Sequence, residues 1–428
     1  MDKSSLKDPS EVTALFVDHG LFISQALRLA QTFKKVYSYT PWQTAFPKMT
    51  SMVGYGYDEL ELVDCVFGPH FDEIDLFVFP DINHGPLQQY LVDQGKVVWG
   101  GRLGECLELD REGMKDILNA LDLPVGKYEH IKGMDNLRAY LKENKNVYVK
   151  INKWRGTFET FKSESYQQVE PKLDEVEHKL GPLKHIIEFT VENELTEPNM
   201  FEGGTDGYVI DGEYPSKLMS GIEVKDLAYV GVFTDYMDIP EPIRRFNDKM
   251  KPVFKAYGYR GWMSTEVRIG KDHNPYMIDG CMRSPSPPNE LWQELYSNFA
   301  DIVWYGANGI VVDPEPTAKY GAEVLIHSSW ASNNWQPVDI DPDVRQFVKL
   351  RNSMKINGRE YISPMGDGLP EIGAVIGMSD KSIEDAIEVA IKNCDGVSGY
   401  YLEMPTAATD KALDAIEKMD KLGLNYFT

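Results

Sequence analysis

Apolar runs of four to six residues alternate with segments of helical spacing over the first hundred positions. The predicted elements are the strand 13–18, the helix 21–33, the strands 35–39 and 74–79, the helix 86–94 and the strand 96–99. Strands that alternate with helices predict a parallel sheet covered by helices on both faces. The first turn, 18–21, does not carry the GxGxxG pattern, so dinucleotide binding has little support there.

Further helices and strands follow after residue 105, and from about residue 311 onward the pattern changes to that of a small α+β part. Predicted helices are 110–121, 134–144, 167–180, 242–257, 289–308, 382–393 and 410–422, and predicted strands begin at 146, 186, 208, 262, 276, 320 and 371. The segment 339–367 is polar and rich in turn residues. We therefore expect a multidomain chain in which an α/β part is followed by α+β parts.

Net charge and cysteine usage narrow the functional classes. The 428 residues include 44 Lys and Arg against 67 Asp and Glu, a net charge of -23 that repels nucleic acid backbones and anionic membranes. The four cysteines are scattered without a CxxC pair, which favours a reducing compartment over a zinc site or disulfide framework. No apolar signal region opens the chain and no run of ~20 apolar residues follows, so we expect a cytoplasmic protein.

Two acidic residues lie in neighbouring strand patterns separated by the turn-rich segment 271–275. Glu266 lies in the first strand and Asp279 in the second, and Arg283 follows four residues later. If the strands form a hairpin, the two carboxylates can face one another and bind Mg²⁺. This ion prefers oxygen ligands and usually binds one or two carboxylates together with substrate phosphates. The guanidinium group of Arg283 is suited to binding a phosphate or a carboxylate group. The alternative is an ordinary hairpin with solvated acids.

Two groups of cations are candidates for phosphate binding. Lys150 lies near the end of an apolar strand and is followed by a basic turn with Lys153 and Arg155, a plausible phosphate cradle or else a hairpin with surface lysines. Arg111 and Lys115 are four residues apart on one helical face. They suggest either a phosphate clamp or a solvated face.

Three histidines follow or precede predicted strands. His19, His70 and His84 can lie at the carboxyl ends of strands, where α/β folds bind ligands. A role in a turn or a helix cap is the simpler interpretation of each.

Several motifs together resemble the ATP-grasp ligases, and within them the glycinamide ribonucleotide synthetases (phosphoribosylamine–glycine ligases). The most specific is the stretch 96–125, from Lys-Val-Val-Trp-Gly-Gly to Leu-Pro-Val, which resembles the family's approach to its ATP site. Val147-Tyr-Val-Lys150 resembles the strand that carries the ATP lysine, and Ile187-Glu188-Phe resembles the hinge that meets adenine. Glu194 matches the acid after that hinge.

The resemblance extends over nearly the whole chain and implies a division into domains. It implies an N-terminal parallel α/β domain, 1–105, a two-lobed ATP-grasp domain, 106–185 and 186–312, and a small α+β domain, 313–428. The stretch 373–401 resembles the family's C-terminal domain.

The resemblance also implies a reaction and roles for particular residues. A carboxylate would attack the γ-phosphate of ATP, and an amine would displace phosphate from the acyl phosphate to form an amide. The implied cofactors are ATP with Mg²⁺ or Mn²⁺, the partners are small-molecule carboxylates and amines, and the assembly is a monomer or homodimer. The implied metal ligands are Glu266 and Asp279, the implied catalytic residues are Arg283 and Lys150, and the implied nucleotide-binding residues are Lys115, Lys150, Lys153, Arg155, Glu188 and Glu194.

The sequence departs from the family at three places. The flap 153–157 has one glycine where the family has several, and Cys281 replaces an asparagine metal ligand. The glycine-rich acceptor loop is missing near 225–231, so glycine and phosphoribosylamine are not carried over as substrates. Two alternatives to a ligase stay open: a phosphotransferase of the same fold and a nucleotide-binding protein without activity.

Overall fold

A computed structural model describes residues 2–41, 52–152, 160–195, 200–365 and 371–424. The strands within these ranges are β1 Thr13–Val17, β2 Lys35–Tyr39, β3 Glu61–Leu62, β4 Leu76–Val78, β5 Val97–Trp99, β6 Tyr128–Lys132, β7 Val147–Ile151, β8 Thr160–Ser163, β9 Glu188–Asn193, β10 Phe201–Ile210, β11 Lys217–Val224, β12 Ala228–Asp235, β13 Arg260–Ile269, β14 Pro275–Cys281, β15 Tyr320–His327, β16 Gln336–Ile340, β17 Val348–Leu350, β18 Ser353–Ile356, β19 Arg359–Ile362, β20 Glu371–Ser379 and β21 Val397–Ser398.

Several α-helices of the described residues are only two or three turns long. The α-helices are α1 Ile23–Ala30, α2 Gly85–Asp93, α3 Cys106–Leu109, α4 Arg111–Ala120, α5 Met134–Glu143, α6 Tyr166–Leu180, α7 Glu241–Ala256, α8 Asn289–Leu295, α9 Phe299–Ala307, α10 Ile383–Cys394 and α11 Ala408–Lys421. No helix in the described part of the chain has both the length and the apolar composition needed to cross a lipid bilayer.

The chain divides into two compact units. The large unit contains Met1–Glu105, Phe201–Glu266 and Gly280–Thr428, and the small unit contains Cys106–Met200 and Val267–Asp279. The chain thus passes from the large unit into the small unit within β13 and returns within β14. The division into four domains stays a prediction from the sequence.

The N-terminal part of the large unit is a parallel sheet of five strands in the order β3-β2-β1-β4-β5. Every residue of β1 is buried, as expected of a strand that helices cover on both faces. The predicted parallel α/β architecture is confirmed. The order reverses between β1 and β4, because the chain continues from β1 to β2 on one side and from β4 to β5 on the other.

The α+β part is built on an eight-stranded sheet in the order β14-β13-β10-β11-β12-β15-β20-β17. Three strands that follow residue 313, namely β15, β17 and β20, belong to the same sheet, since β15 pairs antiparallel with both β12 and β20. The strands β16, β18, β19 and β21 form a separate four-stranded sheet in the order β18-β19-β16-β21. The polar segment 339–367, expected to consist of turns, contains β17 to β19 and part of β16. These strands have only three to five residues, too few for a clear apolar alternation in the sequence.

The single long helix predicted for 289–308 is wrong, because the segment forms two helices, α8 and α9. Tyr296 has extended backbone angles and forms an isolated bridge with Pro316. Asn298 then precedes α9, and its side-chain amide donates to the carbonyl of Asp313. Pairing with a distant segment therefore interrupts a sequence that has helical spacing throughout.

The small unit contains an antiparallel sheet in the order β6-β9-β7-β8. One face carries a core in which Val149 of β7 and Phe189 of β9 are buried together with Leu137 of α5 and Leu173 of α6. Alternation along a strand sends every second side chain to the opposite face. That second face holds the polar residues described below.

The core of the small unit gives a stability prediction. Leu173 is fully buried, so Leu173→Ala should lower the free energy of unfolding by about 2–5 kcal/mol, since it leaves a cavity among apolar side chains. Leu183→Ala is the matched control, because Leu183 lies in the same unit with 46% of its surface exposed. Hydrogen exchange of the β7 and β9 amides across a urea series measures the difference. Equal protection in the two variants would contradict the packing described here.

Candidate active site

The polar face of the small unit collects two lysines and a glutamate from three elements. Lys115 comes from α4, whose start is fixed by Asp110, an N-cap whose carboxylate accepts from the backbone N–H of Gly113 at 3.1 Å. Lys150 comes from β7 and Glu192 from the neighbouring antiparallel strand β9. We call Lys115, Lys150 and Glu192 the lysine–glutamate cluster.

Both lysines of the cluster contact the same carboxylate. Lys115 Nζ lies 2.8 Å from Glu192 Oε1, and Lys150 Nζ lies 3.3 Å from Glu192 Oε2. Lys150 Nζ also donates to the backbone carbonyl of Ile278 in β14, at 2.6 Å. The lysines are 6% and 5% exposed, so the ammonium groups are held by protein contacts in a place with little water.

Glu192 shows the electrostatic balance within the cluster. Burial by itself raises the pKa of its carboxyl group, but the charges of Lys150 and Lys115 outweigh burial, and the pKa is lowered below its ordinary value. Glu192 is therefore ionised at neutral pH. One negative charge lies between two positive charges.

Arg111 extends this polar region by one helical turn from Lys115. Its guanidinium Nη1 donates to the carbonyl of Ile151 at 2.8 Å, and the residue is 6% exposed. Arg111 and Lys115 therefore do not form a solvated helix face, and that interpretation is wrong. Lys150 is not a surface lysine either.

Glu192 did not stand out in the sequence as a functional residue, whereas Glu188 and Glu194 did. All three lie at alternate positions of one strand region, but Glu188 is exposed at the start of β9. Glu194 forms an ion pair with Lys162 at 2.7 Å. Period-two alternation from the buried Phe189 places all three acids on the face opposite the core, and only the pairing of β7 with β9 brings Glu192 to Lys150.

The two predicted metal acids lie on neighbouring strands of the eight-stranded sheet. Glu266 is a half-buried residue of β13 in the large unit, and Asp279 is a half-buried residue of β14 in the small unit. The carbonyl that receives Lys150 belongs to Ile278, the residue before Asp279. Among the described residues, no group of three or more His, Cys, Asp or Glu side chains is arranged to hold a metal ion.

Arg283 lies in the large unit, half-buried, near the end of the parallel sheet. Its Nε is 3.7 Å from Asp81 Oδ1, and its Nη1 donates to the carbonyl of Ser284 at 3.2 Å. The thiol of Cys281 is 3.7 Å from the carbonyl of Arg283 itself. The predicted flap residues Lys153 and Arg155 lie outside the described residues.

Comparison with known proteins shows what this architecture is similar to. No family model and no curated protein matches the chain. Among solved structures, phosphoribosylamine–glycine ligase from Thermotoga maritima aligns with a TM-score of 0.66 and 14% identity, over 92% of this chain and 99% of that chain. The chain has the fold of the ATP-grasp ligases. The resemblance noted in the sequence is thus confirmed at the level of the fold.

Other ATP-grasp structures align over similar lengths. The biotin carboxylase domain of 2-oxoglutarate carboxylase from Hydrogenobacter thermophilus, a dimer in complex with MgADP, ADP and bicarbonate, aligns with a TM-score of 0.65 and 11% identity over 96% of this chain and 98% of that chain. L-amino acid ligase from Bacillus licheniformis aligns with a TM-score of 0.60 and 14% identity, over 92% of this chain and 99% of that chain. The ATP-grasp fold is therefore shared by enzymes with different substrates.

The lysine–glutamate cluster predicts a pH-dependent contribution to stability. Because the pKa of Glu192 is lowered on folding, its contribution is complete at pH values above the ordinary value of 4.5 and is lost as the pH falls through the lower folded value. Glu192→Gln leaves two buried lysines without their carboxylate. At pH 7 we expect a loss of about 3–5 kcal/mol in the free energy of unfolding.

Denaturant unfolding of Glu192→Gln and the parent from pH 7 down to about pH 3 measures this effect. The difference between the two should shrink as the pH falls below 4.5. Glu188→Gln, an exposed change on the same strand, is the control and should leave stability nearly unchanged. If Glu192→Gln is as stable as Glu188→Gln at pH 7, the cluster does not hold this region together.

Proposed function

We propose that the protein is an ATP-dependent carboxylate–amine ligase that forms an amide through an acyl phosphate and releases ADP and phosphate. The observation that carries the proposal is the sharing of one carboxylate by two buried lysines, Lys115 and Lys150, within an ATP-grasp fold. The two lysine ammonium groups and the Glu192 carboxylate together carry one net positive charge, and the lysines are almost fully buried. A phosphate group compensates that charge with strong, charge-assisted hydrogen bonds.

The residues of the chain act in this reaction mainly by position and charge. Lys115 and Lys150 bind the phosphates of ATP and hold the γ-phosphate in line with the attacking carboxylate, because phosphoryl transfer requires alignment and neutralisation of charge. Arg283 stabilises the charge of the acyl phosphate while the amine attacks. Glu188 and Glu194 contact the adenosine part, and Lys153 and Arg155, which lie outside the described residues, are proposed as further phosphate-binding residues.

Glu266 and Asp279 are the proposed metal ligands, because carboxylate oxygens suit Mg²⁺ or Mn²⁺ with phosphate oxygens as further ligands. Each is a half-buried residue of its own strand, Glu266 in β13 and Asp279 in β14. When bound, the ion neutralises negative charge on the phosphates. The Cys281 thiol is a soft ligand and is not assigned to the metal.

The substrates belong to two chemical classes, a small-molecule carboxylate and a small-molecule amine. Support comes from structures of the same fold that ligate amino acids or contain bicarbonate, although each such ligand belongs to its own protein. The net charge of -23 argues against nucleic acid as a partner. We propose a monomer or homodimer in the reducing cytoplasm, in keeping with the scattered cysteines.

The first prediction concerns nucleotide binding. Lys150→Ala should weaken MgATP affinity roughly 10–100-fold, since a hydrogen bond to a charged group contributes about 1.5–3 kcal/mol. Lys145→Ala is the control, because Lys145 is an exposed lysine just before the same strand. Isothermal titration of both variants with MgATP measures the effect. An unchanged affinity in Lys150→Ala would remove the lysine from the phosphate site.

The second prediction concerns the reaction. With MgATP, hydroxylamine and a panel of carboxylates, a ligase should release ADP and produce a hydroxamate, because hydroxylamine traps an acyl phosphate. A phosphotransferase would release ADP with a stable phosphorylated product and no hydroxamate. A protein that binds MgATP but gives neither product across the panel would be a nucleotide-binding protein without this activity.

A metal-site variant gives the third prediction. Asp279→Asn should lower hydroxamate formation by orders of magnitude, because a neutral amide binds Mg²⁺ poorly, while the melting temperature without nucleotide stays close to the parent value. Asp272→Asn, in the exposed turn before β14, is the matched control. Near-parental product formation by Asp279→Asn would exclude the residue as a metal ligand.

A further inference from the structure

Arg351 is an almost fully buried cation of the large unit that has no place in the reaction proposed above. It follows β17 directly, is 2% exposed, and its backbone N–H donates to the carbonyl of Ile372 in β20 at 2.8 Å. A buried guanidinium group needs partners for its charge and for its five N–H donors, because it has lost its hydration. The partners of Arg351 therefore show which part of the chain it holds.

The guanidinium group of Arg351 contacts two residues near the start of α8. Its Nε donates to Glu290 Oε1 at 3.1 Å, and its Nη2 donates to the hydroxyl of Ser286 at 2.5 Å. The hydroxyl of Ser286 donates in turn to Glu290 Oε1 at 2.6 Å. Glu371 adds a carboxylate oxygen 4.0 Å from Nη1 of the arginine. We call Arg351, Glu290 and Ser286 the arginine anchor.

Glu290 is fixed within the arginine anchor by further contacts. It is 1% exposed, and its Oε2 accepts from the side-chain amide of Asn289 at 2.7 Å. Burial first, and then the charge of Glu290, raise the pKa of the neighbouring Glu323 well above its ordinary value, although Arg351 acts in the opposite direction. A protonated Glu323 donates a hydrogen bond to Glu290. A connected network of this kind holds the carboxylate of Glu290 in one position.

The segment 283–288, between β14 and α8, depends on side-chain contacts for its path. It reads Arg-Ser-Pro-Ser-Pro-Pro, so three of its six residues have no backbone N–H to donate. Ser284 holds the first part, because its backbone N–H donates to the carbonyl of Pro80 at 2.8 Å and its hydroxyl accepts from Gln25 Nε2 at 2.9 Å. The arginine anchor holds the second part at Ser286.

Arg283, which is proposed to stabilise the acyl phosphate, begins this segment. Its side chain is half-buried, and its Nη1 returns to the carbonyl of Ser284 at 3.2 Å. The direction of the Arg283 side chain therefore follows the path of the backbone after it. A buried ion pair that serves only stability is the simpler interpretation of Arg351, but it does not explain why both partners of the pair also bind Ser286.

We propose that Arg351 is a positioning residue, which fixes the segment 283–288 through Ser286 and Glu290 and thereby fixes the place of Arg283. The assignment rests on the proposed ligase function, since that function gives Arg283 its role. Reaction at an acyl phosphate requires alignment, and a displacement of about 1 Å costs roughly 100-fold in rate. Loss of the arginine anchor should therefore lower turnover more than nucleotide binding.

Three variants of the full-length protein test the arginine anchor by hydroxylamine trapping. With MgATP and the carboxylate on which the parent is most active, Arg351→Met and Ser286→Ala should lower the kcat of hydroxamate formation at least tenfold and change the KM for MgATP less than twofold. Arg351→Lys keeps the charge without the planar fork, so its kcat should lie between those of Arg351→Met and the parent. If Arg351→Met does not fold, Ser286→Ala decides, because it removes one half-buried hydroxyl and no charge.

Arg345→Met is the matched control for Arg351→Met. Arg345 lies shortly before β17 and forms an ion pair with Glu360 at 2.8 Å, so this variant also removes the cation of an arginine–glutamate pair. Its kcat should stay at the parental value. A purely structural role of Arg351 predicts lower melting temperatures for the anchor variants with parental kcat below those temperatures, and that result would overturn the proposal.

Nitrogen-15 NMR of the protein without substrate follows the position of Arg283 directly. The Nε signal of Arg283, assigned with Arg283→Lys, should shift in Ser286→Ala and in Arg351→Met and should stay in place in Arg345→Met. An unmoved signal in a folded Ser286→Ala would overturn the proposal. A shifted signal together with parental kcat would overturn it as well, because Arg283 would then move without consequence for the reaction.

The two proposals fail separately. If the parent forms no hydroxamate with any carboxylate of the panel, the ligase function is removed, whereas a shifted Arg283 signal in the anchor variants still supports the fixing of Arg283 by Arg351. Hydroxamate formation by the parent, together with an unmoved Arg283 signal in the variants, leaves the ligase function intact and removes only the positioning role.

Discussion

The burial of two lysines around Glu192 is the constraint on which the small unit depends. An ammonium group loses much of its hydration when only about one-twentieth of the residue is exposed, and the carboxylate of Glu192 compensates the two charges only in part. This arrangement requires α4, β7 and β9 to keep fixed positions. The apolar core on the other face of the sheet fixes them, because Val149 and Phe189 alternate with the polar residues along the same strands. Packing on one face therefore maintains a charge imbalance on the other.

The large unit also contains buried polar atoms, but these lack hydrogen-bond partners among the described residues. A fully buried strand ends at Val17, and the next two residues carry a carboxylate oxygen and a ring nitrogen without hydrogen-bond partners in the described part of the chain. Buried polar atoms are usually satisfied, so such exceptions point to a ligand or to a functional strain. The small unit thus holds lysine charges that one carboxylate balances only in part, and the large unit holds buried polar atoms without partners among the described residues.

The low identity to other ATP-grasp structures is compatible with the same fold because the fold depends on pattern and volume more than on particular residues. Identities of 11–14% coexist with alignment over more than nine-tenths of the chain. Hydrophobic positions exchange among Val, Ile, Leu and Phe at small cost if volume and alternation are kept. Function belongs to sites and not to folds, and phosphoribosylamine–glycine ligase and biotin carboxylase share this architecture with different substrates. The substrate of this chain must therefore be sought in its own polar residues.

The sequence alone determined the parallel sheet, the start of α4 at Asp110 and the position of Lys150 at the end of a strand, since these follow from local periodicity and capping chemistry. It did not determine which acid meets the lysines, because Glu188, Glu192 and Glu194 look alike until the pairing of β7 with β9 selects one. The break between α8 and α9 was also decided by tertiary structure, where Tyr296 pairs with the distant Pro316. Local signals fix elements over a few residues, whereas burial and ionic partners depend on segments that only folding brings together.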